Sequence, residues 1–216
     1  MTEADSVQLR WNGERLQLLP ERALLLPDHA ALVIADWHLG KSEIFRRAGI
    51  AVPDGGTEAD LSRLDQLIAH FRPSQLLVLG DLVHGAVRAD SPWLSRLKAW
   101  RRRHPQLALR AVVGNHDRHI QALPLDECLP ALQIGSLRCV HESSATAAAP
   151  ELAGHLHPVM RLSGVGMRER VPVFWLRPRS LILPSFGGFT GGHPIQPGAG
   201  DQVYAALPQA VIAIRR

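Results

Sequence analysis

The chain has 216 residues, 46% hydrophobic and 20% charged, enough for one sizeable core and ordinary for a globular protein that is neither fibrous nor disordered. Lys and Arg outnumber Asp and Glu by 24 to 20, a net +4 that suits polyanionic partners without the charge density of a nucleic-acid coat. No apolar run approaches the ~20 residues that span a bilayer and MTEADSVQLR is no leader, so a single cytoplasmic domain over 1–216, away from membranes, is expected.

The first elements announce themselves by turn chemistry and period. SVQLRWNGERLQLLP places Asn12-Gly13 between two short strand-like runs, which predicts a β-hairpin. A strand follows over Ala31–Ala35, then a Gly/Pro-containing loop, then TEADLSRLDQLIAHF. Here Leu61, Leu64, Leu67 and Ile68 share one helical face, and Thr57 with Asp60 has capping-box spacing. QLLVLG predicts a buried strand. Ser91-Pro92 reads as N-cap and first residue of a helix carrying Trp93, Leu94, Leu97 and Trp100, closed by Arg101-Arg102-Arg103 as a solvated basic end. LALRAVVG is another strand, completing β-α-β-α-β.

After about residue 130 the pattern changes to short β runs, VPVFWLRP, SLILPS and AVIAIRR, with little helical period. ESSATAAAP reads as a loop, and SFGGFTGG as either a tight corner between strands or glycine backbone placed close to phosphate. The only cysteines, Cys128 and Cys139, are too few for a disulfide framework or a thiolate metal site and read as small buried or half-buried hydrophobes. Any metal must be held by His, Asp and Asn.

Five apolar runs end in such residues: Asp36 and His38, Asp81, Asn115-His116-Asp117, His141, and His155 and His157. Two divalent ions a few ångströms apart need a shared carboxylate and N and O donors on each side, and Asp81 is the natural bridge. The thiolate-free donor mixture suits Mn2+ or Fe2+, with Zn2+ or Co2+ also compatible, better than an all-oxygen Mg2+ site.

In order, D-x-H (Asp36, His38), G-D (Gly80, Asp81), G-N-H-D (Gly114 to Asp117), the lone His141 and G-H-x-H (Gly154 to His157) resemble the calcineurin-like metallophosphoesterases. ADWHLGKSEIFRRAGIAVP, LGDLVHG and LPSFGGFTGG further resemble the bacterial DNA ligase-associated metallophosphoesterases, described as DNA-damage-response endonucleases. The resemblance implies two packed β-sheets flanked by helices in a four-layer α/β/β/α sandwich. It implies one metal on Asp36, His38, Asp81 and His157, and a second on Asp81, Asn115, His141 and His155. His116 is then a proton donor facing the leaving group and Asp117 its orienting partner, with a metal-bridging hydroxide attacking phosphorus in line.

Lys41, Arg46 and Arg47 directly follow the first motif and are candidate phosphate contacts, as are His84 and His119 beside other motifs. His29, His70 and His104 read as ordinary exposed imidazoles. The expected function is a DNA endonuclease in repair, associated functionally with DNA ligase and helicase proteins. The alternative is a phosphatase or phosphodiesterase for nucleotides or other small phosphate esters. A non-catalytic scaffold is disfavoured because every donor and His116 are present.

Overall fold

The structure, a computed structural model, describes residues 5–52, 55–117, 120–164 and 167–214. It contains two mixed β-sheets. The first runs in sequence order: β1 (Val7–Trp11), β2 (Glu14–Leu19), β3 (Ala23–Leu26), β4 (Ala31–Ile34), β5 (Gln75–Leu79), β6 (Ala108–Val112) and β7 (Glu127–Leu129). Its first four strands are antiparallel and β4 to β7 parallel. The Asn12-Gly13 hairpin forms as expected. Both residues have positive φ, 49° and 87°, as a two-residue turn between twisted strands demands.

The second sheet comprises β8 (Leu132–Ile134), β9 (Leu137–Cys139), β10 (Glu151–Ala153), β11 (Pro158–Gly164), β12 (Met167–Leu176), β13 (Ser180–Ile182), β14 (His193–Pro194), β15 (Gln202–Ala206) and β16 (Val211–Ile214). Strands β9, β10 and β13 are mutually parallel. Period-two alternation sorts side chains between layers. Val33, Leu77, Leu79 and Val112 meet Cys139, Leu152, Phe174 and Leu181 between the sheets, while Leu32, Ile34, Leu76 and Val78 face the helices.

The helices are α1 (Lys41–Arg47), α2 (Gly56–Phe71) and α3 (Pro92–Arg103). Leu64 and Leu67 of α2 and Leu97 and Trp100 of α3 are fully enclosed, and such burial stabilises by about 1.5–3 kcal/mol per large apolar side chain. The expected flanking helices therefore cover the outer face of the first sheet. The outer face of the second, marked by Val171, Val173 and Val203, carries no α-helix among the described residues. Two packed sheets with helices on the first give the expected α/β sandwich, with its α-helices all on that side among the described residues.

Three local expectations are corrected. The stretch after Ala35 is not all loop but contains α1, which the sequence hides because the helix buries none of its residues. Thr57 and Asp60 do not form a capping box: Gly55 takes the N-cap position in the left-handed region, and Asp60 turns inward. The basic end of α3 is partly ion-paired, Arg101 to Asp126 at 2.8 Å and Arg103 to Asp65 at 2.9 Å. Likewise His104 pairs with Asp65 and His29 with Glu14, whereas His70 is exposed. No helix among the described residues is long and apolar enough to cross a membrane.

Candidate metal centre

Parallel strands leave a sheet at the same edge, so β4, β5 and β6 of one sheet and β9, β10 and β13 of the other discharge their following turns into one mouth. The first two turns are laced by Asp36 N–H to Gly80 O (3.2 Å), His38 N–H to Asp81 O (2.8 Å) and Leu39 N–H to Leu82 O (2.9 Å). Trp37, between the two donors, projects the other way into the core, edge-on to Trp100 and Phe186.

All seven candidate donors come together. The ligating atoms of Asp36, His38 and His157 lie within 4.8 Å of one another, and those of Asp81, His141 and His155 form a second such group. Asp81 lies between them, with Oδ2 3.9 Å from His38 Nε2 and Oδ1 3.5 Å from His141 Nε2. Asn115 Oδ1 is 2.9 Å from His141 Nε2, which joins it to the second group. Asp36, His38, Asp81 and His141 are buried; Asn115 and His116 are exposed.

Two imidazoles have their tautomers fixed by the backbone. A carbonyl only accepts, so His141 Nδ1–H donates to Leu79 O (3.1 Å) and His157 Nδ1–H to Gly191 O (3.1 Å). Their Nε2 lone pairs are thereby aimed into the centre. His157 Nε2 stands 3.3 Å from His38 Nε2 and 3.4 Å from Asp36 Oδ1; His141 Nε2 stands 3.0 Å from His155 Nδ1. Electron-pair donors crowded in this way suit two cations, and thiolate-free N and O donors fit first-row divalent metals.

The backbone enforces this convergence. Asp36, His38, Asp81, His155 and His157 all have positive φ, between 48° and 68°. The motif glycines leave room that no other residue would leave: a Cβ on Gly80 would fall on the His141 ring, one on Gly114 on the Asp81 backbone, and one on Gly154 2.7 Å from Asp36 Oδ2. His155 N–H donates to both Asp36 oxygens at 3.0 Å, and His116 N–H to Asp81 Oδ1 at 2.9 Å.

Burial, then the charge of Lys41, holds His38 neutral with its pKa pushed down to about 2. For His157 the lowering effect of burial is outweighed by the Asp36 carboxylate and the Gly191 carbonyl, which raise it. Burial also lowers the pKa of half-buried Lys41, opposed by Asp81 and Asp36.

The carboxylate of Asp117, which the resemblance makes the orienting partner of His116, is engaged by backbone. The Asp117 oxygens accept from Val83 N–H (2.9 Å) and Gly114 N–H (2.8 Å), so this buried carboxylate fastens the second motif turn to the third. The His116 ring instead stacks on His84 (centroids 4.9 Å apart) and meets His38 edge-on. Among the candidate phosphate contacts, Lys41 lies beside the donor carboxylates, Arg46 is exposed, Arg47 is paired with Glu43 at 2.5 Å, and His119 lies outside the described residues.

Sequence reasoning missed Phe45 and Phe189, whose rings meet edge-on at 5.5 Å beside His84, with Phe189 43% exposed. It also left SFGGFTGG undecided. The segment serves as close-packed backbone: Phe186 N–H donates to Ala35 O (2.7 Å), the Ser185 hydroxyl to Asp36 O (2.7 Å), and Gly187 lies where a Cβ would strike Trp37 O.

A profile of the family described as calcineurin-like phosphoesterase matches residues 30–172, a span that contains all seven donors. Among solved structures, the chain is similar to Pseudomonas putida nuclease MPE, at 34% identity and a TM-score of 0.82, over 97% of this chain and 100% of that one. It is also similar to Yfce, a phosphoesterase from E. coli, at 17% identity and a TM-score of 0.45, over 85% of this chain and 96% of that one. No curated protein matches the chain.

Proposed function

The chain belongs to the calcineurin-like phosphoesterases and is thus a metal-dependent phosphoester hydrolase, and within that chemistry we propose that it is a nuclease that cleaves DNA phosphodiesters in repair. The observation that carries the hydrolytic reading is the convergence of donors into two groups on either side of Asp81. The nuclease reading is supported by the similarity to a nuclease along the full length of both chains.

Asp36, His38, Asp81 and His157 would hold one divalent ion, and Asp81, Asn115, His141 and His155 the other, with Mn2+ the metal that best suits these donors. Such a pair supplies Lewis acidity at the phosphoryl oxygens and acidifies water toward neutral pH. His116, exposed at the rim and braced by its stack on His84, donates a proton to the departing oxygen. Lys41 offers positive charge to the phosphate. The rings of Phe45 and Phe189 form an apolar flank on which a nucleobase can stack, a feature with no use for a small inorganic or sugar phosphate. Asp117 keeps the turn carrying His116 in place through Gly114 and Val83.

The test is hydrolysis by metal-stripped protein reloaded with Mn2+, Fe2+, Zn2+ or Co2+ singly. The substrates are single-stranded DNA, duplex DNA, nucleotides and a nitrophenyl phosphodiester. Cleavage of DNA with Mn2+ is expected; release of phosphate from nucleotides with DNA untouched would replace the nuclease by a small-ester hydrolase.

A further inference from the structure

One ion pair between a buried Asp and a half-buried Arg lies outside the chemistry above. Asp60 and Arg63, one turn apart on α2, have side chains 10% and 22% exposed, and an Arg63 Nη2 to Asp60 Oδ1 distance of 3.0 Å. Arg63 also donates to the Phe186 carbonyl and lies with Cζ 3.9 Å over the Phe186 ring, while Asp60 Oδ2 accepts Gly188 N–H at 3.4 Å. Burial pushes the Arg63 pKa down to about 10 and raises that of Asp60. Desolvating two charges is costly, and apolar pairs of similar volume often stabilise a fold as well. Stability alone therefore gives little reason for this pair.

What the pair grips is the backbone behind the metal centre. Phe186 and Gly187 N–H groups bond to Ala35 O and Asp36 O. The Thr190 hydroxyl donates to Gly187 O at 2.8 Å, Gly191 O accepts His157 Nδ1–H, and His193 N–H donates to His157 O at 2.9 Å. From α2, a continuous path of hydrogen bonds and covalent backbone thus reaches two donors of one group, Asp36 and His157.

We propose that Asp60 and Arg63 are positioning residues for that group, aiming His157 Nε2 and Asp36 Oδ1 by fixing where residues 186–191 lie. The inference rests on the metal assignment made above. Ligand-supporting contacts of this kind typically change metal affinity about 10–100-fold when removed.

The experiment is calorimetric titration of metal-stripped full-length protein with Mn2+, with electron paramagnetic resonance spectra at two equivalents to detect coupling between neighbouring ions. Wild type should bind two ions. The Asp60→Leu/Arg63→Met variant, which removes both charges while keeping apolar volume, should stay folded, bind one ion about 10–100-fold more weakly and lose the coupled spectrum. Adding His157→Ala to it should weaken that ion by much less than the same substitution does in wild type, because the two changes act on one ligand. Arg63→Lys keeps the charge without the planar fork and should give a smaller loss of the same kind. Unchanged isotherms in a folded double variant overturn the inference; if the double variant does not fold, unchanged isotherms in Arg63→Lys do so. Fewer than two ions on wild type would instead overturn the metal assignment itself.

Discussion

Replacing Gly154 by Ala tests whether the motif glycines set the centre by close packing. The added Cβ would lie 2.7 Å from Asp36 Oδ2, 2.8 Å from Ala35 Cβ and 2.9 Å from Leu79 O. All three neighbours are fully buried, so none can swing into solvent. Restoring ordinary contact requires shifts of about 0.5–0.7 Å, and overpacking of this kind costs about 1–3 kcal/mol. For a domain of this size the melting temperature of the metal-free protein should then fall by about 2–12 °C. The shift must also disturb His155 N–H, which donates to both Asp36 oxygens and so links the two donor groups. Both ions should bind about tenfold or more weakly, and hydrolysis of a nitrophenyl phosphodiester should fall with them. Melting by calorimetry, Mn2+ titration and the rate assay read these effects separately. Gly56→Ala is the control, because its Cβ meets nothing within 4 Å. A Gly154→Ala protein with wild-type melting and wild-type affinity for both ions would refute the reasoning.

Asp81→Asn retains an acceptor for His116 N–H but removes the charge between the donor groups, so it should weaken both ions and nearly abolish hydrolysis with the fold intact; full activity would defeat the binuclear assignment. His116→Ala should keep both ions yet lose about 10²–10⁴-fold in turnover on DNA, and less on a substrate with a nitrophenolate leaving group; loss of a metal would mean that His116 is itself a ligand. At the ion held by Asp36, His38 and His157, the pH dependence of affinity should follow His157. Its raised pKa keeps a proton on the ring that an ion must displace, so affinity should decline as pH falls from somewhat above 6.5, while His38, already neutral down to about 2, adds nothing. A calorimetric affinity of that ion that stays flat between about pH 7.5 and 5.5 would sink that account.

The donors were legible because each closely follows a strand, Asp81, Asn115, His155 and His157 after a glycine as well, and strand ends are where open sheets place ligands. The relations between side chains were not. The resemblance implied that Asp117 orients His116, and the structure shows that the Asp117 carboxylate accepts from Val83 and Gly114 N–H, a pairing no local pattern displays. Thr57-x-x-Asp60 has the spacing of a cap, but Gly55 adopts a left-handed conformation with φ 91° and Asp60 is spent on the far segment. That partner lies 128 positions away, beyond the reach of local pattern. Helix α1 escaped for the opposite reason: with no buried residue it has no apolar stripe to read. The pairing of Arg47 with Glu43, by contrast, is an i,i+4 relation that the sequence displays once the helix is known.

The left-handed donors explain why so few contacts among themselves can hold such a centre. Each non-glycine residue in that region costs about 1–3 kcal/mol, less for Asp and His, whose short polar side chains adopt it more readily. At Asp36 and His38 both side chains enter the mouth from left-handed backbone while Trp37 between them stays in the core. The donors cannot supply that energy, since in the metal-free chain their lone pairs crowd one another. It comes from the strands they terminate, whose Leu32, Val33, Ile34, Leu77, Val78 and Leu79 are wholly buried, and from backbone bonds lacing the first two turns. The hydrophobic core thus maintains a donor geometry that the donor residues alone would not adopt, which is why a substitution as small as one methyl group at Gly154 should be felt at both ions.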